Sequence, residues 1–375
     1  MPTAVGPNTK GEENLVFSYD LGDVSNSYKG EPTTNVVNDP SPSSAWGISN
    51  YFSTSSRSYG VDEDGNPMLI IDVTSVGSGY PRSTGAYLLS TITGTFSTSF
   101  EAKAATSGLR VALKIYENGS TKTNNTANLT TEWQRFTFDN QSTGFTLDRP
   151  YFNPIDNGTY YIRKIQIEAK AHSTPYVNGT RSATQGLLDL TGNYSIDLSN
   201  VSFDSNAQKI FDGTNDRIQI SNPGVASTTS FTVEFIIKRD TTGNRHIIIS
   251  PNSVGVDHFF RFNSNNTLFA RFIEIADSSA DDYTSTTALA AGKYYHIVMS
   301  KTPSNGTFYV NGVAEDSHTP TLSAVAWSGE WRIGARANGS YYFDGEMPIV
   351  KVYDRALTAE EVKANFNAIK GRFNI

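Results

Sequence analysis

The chain has 375 residues, no cysteine and a formal net charge of -7. That length accommodates two ordinary domains, the missing cysteine excludes disulfides, thiolate nucleophiles and zinc-thiolate sites, and the acidic balance without a basic stripe excludes a phosphate-backbone footprint. With 21 Phe, 19 Tyr, 30 Gly and only 18% charged residues, the composition favours strands and turns, and an all-β protein is expected.

No run of about 18 apolar residues is present to span a bilayer, so membrane insertion is not expected. The opening Met1 to Pro7 lacks the basic and apolar blocks of a signal peptide, which leads to the expectation of a chain made in a cytoplasm and remaining soluble there. Residues 1–35 hold one short apolar patch, Leu15, Val16 and Phe17. They carry too little periodicity for a core and read as an arm that packs on something else, or as a loose terminus.

From 36 to 180 short strand-like runs recur between turn signals, including Met68 to Val73, Phe96 to Lys103, Trp133 to Phe138 and Tyr160 to Ile167. In Leu109, Val111, Leu113 and Ile115 apolar residues alternate with polar ones, the period of a strand with one wet face, and Asn118-Gly119 then turns the chain. Such spacing predicts a β-sandwich. After the polar passage Asn178 to Arg181 the pattern starts afresh, defining a second domain over 181–375 with strands such as Phe231 to Ile237, Phe259 to Phe262, Leu268 to Phe272 and Tyr294 to Met299. Asn311-Gly312 marks a hairpin. A single terminal helix is predicted, capped by Thr358 with Glu361 three residues on and striped by Val362, Phe366 and Ile369. The expected architecture is therefore two tandem antiparallel β-sandwich domains of jelly-roll type, an extended N-terminal arm and a short C-terminal helix.

Four stretches of the second half, Phe211 to Ile218, Phe231 to Phe235, Tyr295 to Ser300 with Phe308 to Gly312, and Phe343 to Val362, together resemble the concanavalin A-like, laminin-G-like jelly roll. The first module, on the run Lys164 to Arg181, is similar to the carbohydrate-binding jelly rolls appended to phage tail and fibre proteins. Leu15 to Asp23 with Tyr28 to Asn35 resembles openings of phage structural proteins. These resemblances imply a virion component assembled in a bacterial host cytoplasm, a homo-oligomer taken as a trimer. Other virion proteins would be its partners through the arm, and a host surface glycan would be its ligand. A purely architectural cement protein and a polysaccharide-degrading hydrolase are the alternatives.

Hydrolases of this fold need paired carboxylates in one cleft. The nearest pattern is Glu274 with Asp277, which in a strand point to opposite faces. The chain is therefore not expected to be an enzyme. The five histidines, His172, His246, His258, His296 and His318, show no metal-binding spacing, and His296 reads as a packing residue. No cofactor is required. Calcium is the ion that Asp212, Asp216 and Asp344 would suit, although Asp before Gly also simply favours a turn. Sugar binding needs flat rings in turns, and Trp327, Trp331, Tyr341 and Tyr342 are the candidates, with core or subunit-interface packing as their other use.

Overall fold

The computed structural model describes residues 13–44, 46–49, 54–76, 82–84, 88–90, 92–117, 120–143, 149–203, 211–223, 230–243, 246–253, 256–257, 259–273, 280–302, 305–319, 329–336 and 338–375. The chain divides into two compact units, one of Pro32–Ser182 and one of Met1–Glu31 with Ala183–Ile375. In sequence, the first is an insertion within the second.

The inserted unit contains two five-stranded antiparallel sheets. One runs in the order Gln134–Thr143, Gly94–Ala104, Gly158–Glu168, Pro67–Ser75, Thr54–Val61, and the other Gly47–Ser49, Arg82–Thr84, Arg149–Pro154, Arg110–Glu117, Ser120–Asn128. Val111, Leu113 and Ile115 are fully buried and share a core with Trp46, Phe100, Phe152 and Tyr160, as period-2 alternation requires. Asn118-Gly119 lies outside the described residues; the strands on either side pair antiparallel as far as Glu117 and Ser120. The chain enters and leaves this unit side by side, through the pairing of Thr33–Thr34 with Thr180–Arg181.

The larger unit is a sandwich of a seven-stranded and an eight-stranded sheet. The first runs Leu15–Asp20, Asp344–Tyr353, Phe231–Arg239, Tyr294–Lys301, Gly306–Val310, Val313–His318, with Phe211–Asp212 also on Asp344–Tyr353. The second runs Ile196–Asp197, Ile218–Ile220, Trp331–Ile333, His246–Ser253, Phe259–Phe262, Leu268–Ile273, Ala280–Thr284, with Val256–Asp257 on His246–Ser253. Between the sheets lies one continuous core that includes Phe17, Tyr19, Phe235, Ile249, Phe260, Trp331 and Val350. Jelly-roll sandwiches bury one face of each sheet in this way and leave the other for solvent or a covering element.

The expected N-terminal arm differs in the structure. Leu15–Asp20 is a strand of the larger unit, paired antiparallel from Leu15 opposite Tyr353 to Asp20 opposite Ile349. Phe17 and Tyr19 are fully buried, and the Tyr19 hydroxyl donates to the Met347 carbonyl at 3.1 Å. Six residues are too few to display a period, and the partner strand lies over three hundred residues downstream. The local composition around Leu15 to Phe17 therefore gave no sign of it.

The terminal helix, Ala359–Phe373, has the expected capping box between Thr358 and Glu361. It covers the outer face of the seven-stranded sheet, where Val362 packs with Val298, Tyr309, Tyr353 and Leu357. Asn311 and Gly312 both take positive φ, 50° and 73°, as a two-residue hairpin between Val310 and Val313 demands. A Cβ on Gly312 would come within 2.9 Å of Phe366, so the hairpin tip is also a seat for the helix.

Candidate functional site

The structure brings Asp212 and Asp344 opposite one another on paired strands, with Asp216 in the following turn. Their oxygens are already engaged. Asp212 Oδ1 accepts the Thr214 and Asn215 amides at 2.7 and 3.2 Å, and Asp344 Oδ2 accepts the Thr241 hydroxyl at 3.0 Å. Asp216 Oδ1 accepts the amide and hydroxyl of Ser202 at 2.8 and 2.7 Å, and its Oδ2 accepts the Asp212 amide at 3.1 Å. Burial acts to raise both the Asp212 and Asp216 carboxyls. At Asp212 the amide donors outweigh burial and its pKa is lowered, whereas at Asp216 burial prevails and its pKa is raised. The three aspartates thus build a turn, and among the described residues no group of three or more His, Asp or Glu side chains is arranged to hold a metal ion. Asp216→Ala should lower the unfolding free energy by about 1–3 kcal/mol, since it strips acceptors from buried donors. Chemical denaturation checks this, and an unchanged midpoint would mean that the turn holds without its carboxylate.

The predicted aromatics fare differently. Trp327 lies outside the described residues. Trp331 is fully buried, on a strand between Ile218–Ile220 and His246–Ser253. It is a core residue and cannot meet a sugar. Tyr341 is 45% exposed and adopts a left-handed backbone, φ 54°, at the exit of the turn in which the Arg336 amide donates to the Ser340 carbonyl at 3.0 Å and the Arg336 carbonyl accepts the Gly339 amide at 2.8 Å. Tyr342 beside it is half-buried.

Around Tyr341 the outer face of the eight-stranded sheet carries side chains that the sequence reading did not single out. Phe260, Phe262, Leu268 and Ala270 point into the core. By strand alternation Phe259, Arg261, Phe269 and Arg271 point outward. Phe259 and Phe269 stack at 6.0 Å with 29° between their planes. The Arg261 guanidinium lies over Phe269 at 4.6 Å and over Phe259 at 5.2 Å. Arg271 lies over the same two rings at 5.5 and 6.0 Å, and Arg336 sits 5.8 Å from both Phe259 and Tyr341. Arg271 also grips both oxygens of Asp282 at 2.7 and 2.6 Å. The signal for this patch was available in Phe259-Phe-Arg-Phe262 and Leu268-Phe-Ala-Arg271. Both place a large ring and an arginine on the outer face by alternation, where Phe269 is half-buried and Phe259 is buried.

In the inserted unit a second cluster sets cations beside a ring and pairs them with carboxylates. Arg163 lies 4.0 Å from the Trp133 ring and Lys103 4.9 Å, but Arg163 is bonded to Glu101 at 2.7 Å and to Asp62, while Lys164 meets Glu101 at 3.2 Å and Lys103 meets Glu63 at 3.6 Å. Three cations face three carboxylates, so this patch is neutralised internally.

A second polar cluster lies under the terminal helix. Glu234 is 1% exposed. One of its oxygens meets His296 Nε2 at 3.0 Å, and the other accepts the Asn365 amide at 2.9 Å and the Tyr353 hydroxyl at 3.2 Å. Burial alone would raise its pKa. The charge of Lys351 and the contacts with His296 and Asn365 prevail and pull it down to about 2. His296 is therefore an interior residue, as its strand position suggested, and its role is to hydrogen-bond and orient a buried carboxylate. His246 is buried against Phe343, and His318 packs on Tyr283 at 4.7 Å. Glu274, Asp277 and His258 lie outside the described residues.

No curated protein sequence matches the chain. Among solved structures it is similar to the heptameric SAP-like pentraxin of Limulus polyphemus, at 19% identity over 41% of this chain and 78% of that one, with a TM-score of 0.33. It is also similar to the receptor-binding domain of botulinum neurotoxin D, at 14% identity over 50% of this chain and 51% of that one, TM-score 0.40. A third is domain 4 of the extracellular GH43 arabinanase AbnA from Geobacillus stearothermophilus, solved with arabinotriose, at 16% identity over 48% of this chain and 91% of that one, TM-score 0.38. Residues 212–363 match the family model of the concanavalin A-like lectin/glucanases superfamily, and the larger unit has a lectin-like jelly-roll fold similar to that family's.

Proposed function

We propose that the protein is a non-enzymatic, glycan-binding component of a bacteriophage particle, which presents lectin-like sandwiches for attachment to the host surface. The observation that carries the binding role is the cluster of the exposed Tyr341 and the half-buried Phe269 with their arginines on the outer face of the eight-stranded sheet, where Phe259 is buried among them. Rings at a surface give the apolar faces of pyranoses a partner, and guanidinium groups give their polar substituents hydrogen bonds. The described carboxylates of that face do not form the facing pair that glycoside hydrolysis requires. Asp282 is bonded to Arg271, and Glu330 is held by Arg332 and Gln219. The sequence resemblances to phage tail and fibre modules support the virion setting, and many weak sites on one particle would act together through avidity.

The test is binding of the purified chain to host cells and to their extracted surface polysaccharide, with antibody labelling of intact particles. Saturable binding that Tyr341→Ala weakens several-fold, with label on the particle, is the expected result. A chain that binds neither cells nor polysaccharide overturns the adhesive role, and particles without label overturn the virion setting.

A further inference from the structure

We infer that His246 makes the turn carrying Tyr341 sensitive to protons, so that acid loosens this ring and weakens the hold on a glycan; this rests on the glycan-binding reading above. His246 opens the strand His246–Ser253. It pairs with Phe262, whose ring lies in the core between the sheets, so strand parity turns the imidazole inward. The imidazole is 5% exposed, its Nδ1 is buried with no hydrogen-bond partner, and it meets the Phe343 ring edge-on at 6.0 Å. The next residue, Ile247, donates its amide to the Tyr341 carbonyl at 3.0 Å, and the Phe343 amide donates to the Gly334 carbonyl at 2.7 Å. The histidine is thus joined to the turn twice, through the backbone beside it and through the ring of Phe343. Tyr341 itself holds a left-handed backbone, a conformation that a non-glycine residue keeps only while its surroundings impose it.

Inside the sandwich a neutral imidazole is tolerated and a charged one is costly. Among the described residues two charges bear on His246. Arg239, at the end of the strand Phe231–Arg239, is buried, lies 3.9 Å from the Phe262 ring and donates to the Leu289 carbonyl at 2.6 Å. Its charge opposes a second cation, whereas Asp344, at the start of the strand Asp344–Tyr353, favours one. Burial acts first and Arg239 second, and together they outweigh Asp344 and hold the histidine below its ordinary pKa of 6.5. In imidazolium both ring nitrogens are donors, and Nδ1 here has nothing to donate to. As the pH falls below 6.5, a chain with the turn open takes up the proton more readily than a closed one, so the closed form loses stability toward the folded pKa. Opening brings the ring to water, and the Ile247 bond to Tyr341 breaks with it.

The experiment measures binding of the full chain to the extracted host surface polysaccharide from about pH 7.5 down to about pH 4.5, a range that spans histidine titration. Amide hydrogen exchange of the unliganded chain is followed in parallel. The dissociation constant should rise several-fold toward acid as the competent fraction shrinks, and the protection factor of the Ile247 amide should fall with it. His246→Phe keeps a ring against Phe343 and takes no proton, so both readouts should lie flat. Asp344→Asn removes the charge that favours the cation, and the acid midpoint should move downward. Circular dichroism verifies that the variants fold. Should His246→Phe fail to do so, the Ile247 protection of the parent and the direction of the Asp344→Asn shift decide. An identical pH profile in parent and His246→Phe, or Ile247 protection that stays steady throughout the range, overturns the proton sensitivity while leaving glycan binding in place. Absence of binding at every pH overturns the glycan reading and this inference with it.

Discussion

Glu234→Ala is expected to lower the stability of the larger unit by about 3–5 kcal/mol, because it leaves a buried histidine, amide and phenol without the carboxylate that joins them. The same group makes a distinct contribution to acid stability. Its folded pKa of about 2 lies below the ordinary 4.5, so ionised Glu234 stabilises the fold fully above about pH 4.5. That contribution, on the order of 3 kcal/mol, is lost as pH falls toward 2. Urea unfolding followed through this acid range should show a slope in the parent that is flattened in Glu234→Gln. Identical acid profiles would show that the carboxylate is not ionised in the fold. Since Asn365 is the helix residue that reaches Glu234, limited proteolysis of Glu234→Ala should cut first within Ala359–Phe373.

The second large effect concerns the strand at the other end of the chain. Phe17→Ala should destabilise the larger unit by about 3–5 kcal/mol, the range for emptying a buried phenylalanine site. Its melting transition should drop on the order of 10 °C. The inserted unit has its own core, and its transition should stay where it is. Differential scanning calorimetry separates the two. An unaltered larger unit would mean that Leu15–Asp20 contributes no packing and acts as a free arm after all.

Much of the β architecture was readable from residue order. Alternation located Val111, Leu113 and Ile115, Asn311-Gly312 located a hairpin, and the capping pair Thr358 and Glu361 located the helix start. Each of these is a local signal, set by a few neighbouring residues. The role of Leu15–Asp20 was not readable, because its meaning lies in a partner strand at Asp344–Tyr353. Trp331 was misjudged for a related reason. The Ser328-Gly329 beside it suggested a turn, but the alternation of Trp331 and Ile333 around Arg332 marks a strand with Trp331 on its inner face. At the surface, Tyr341 was found by its turn. Its neighbours Phe259, Phe269, Arg261 and Arg271 were read only as strand formers, although their parity already placed them outward. The buried set of Glu234, His296, Tyr353 and Asn365 joins two central strands, a third strand's end and the helix. No spacing rule connects such positions.

The pairing of Leu15–Asp20 with Asp344–Tyr353 bears on how the chain is made. Tyr19 bonds to a carbonyl 328 residues later. At roughly 5–20 residues per second a ribosome takes roughly 15 to 65 s to supply that partner. Throughout this interval Leu-Val-Phe-Ser-Tyr waits as an unpaired apolar strand, while the inserted unit, complete by Ser182, can already have folded. The nascent chain is therefore exposed to aggregation at this segment, and chaperone occupancy should concentrate there until Asp344–Tyr353 leaves the exit tunnel.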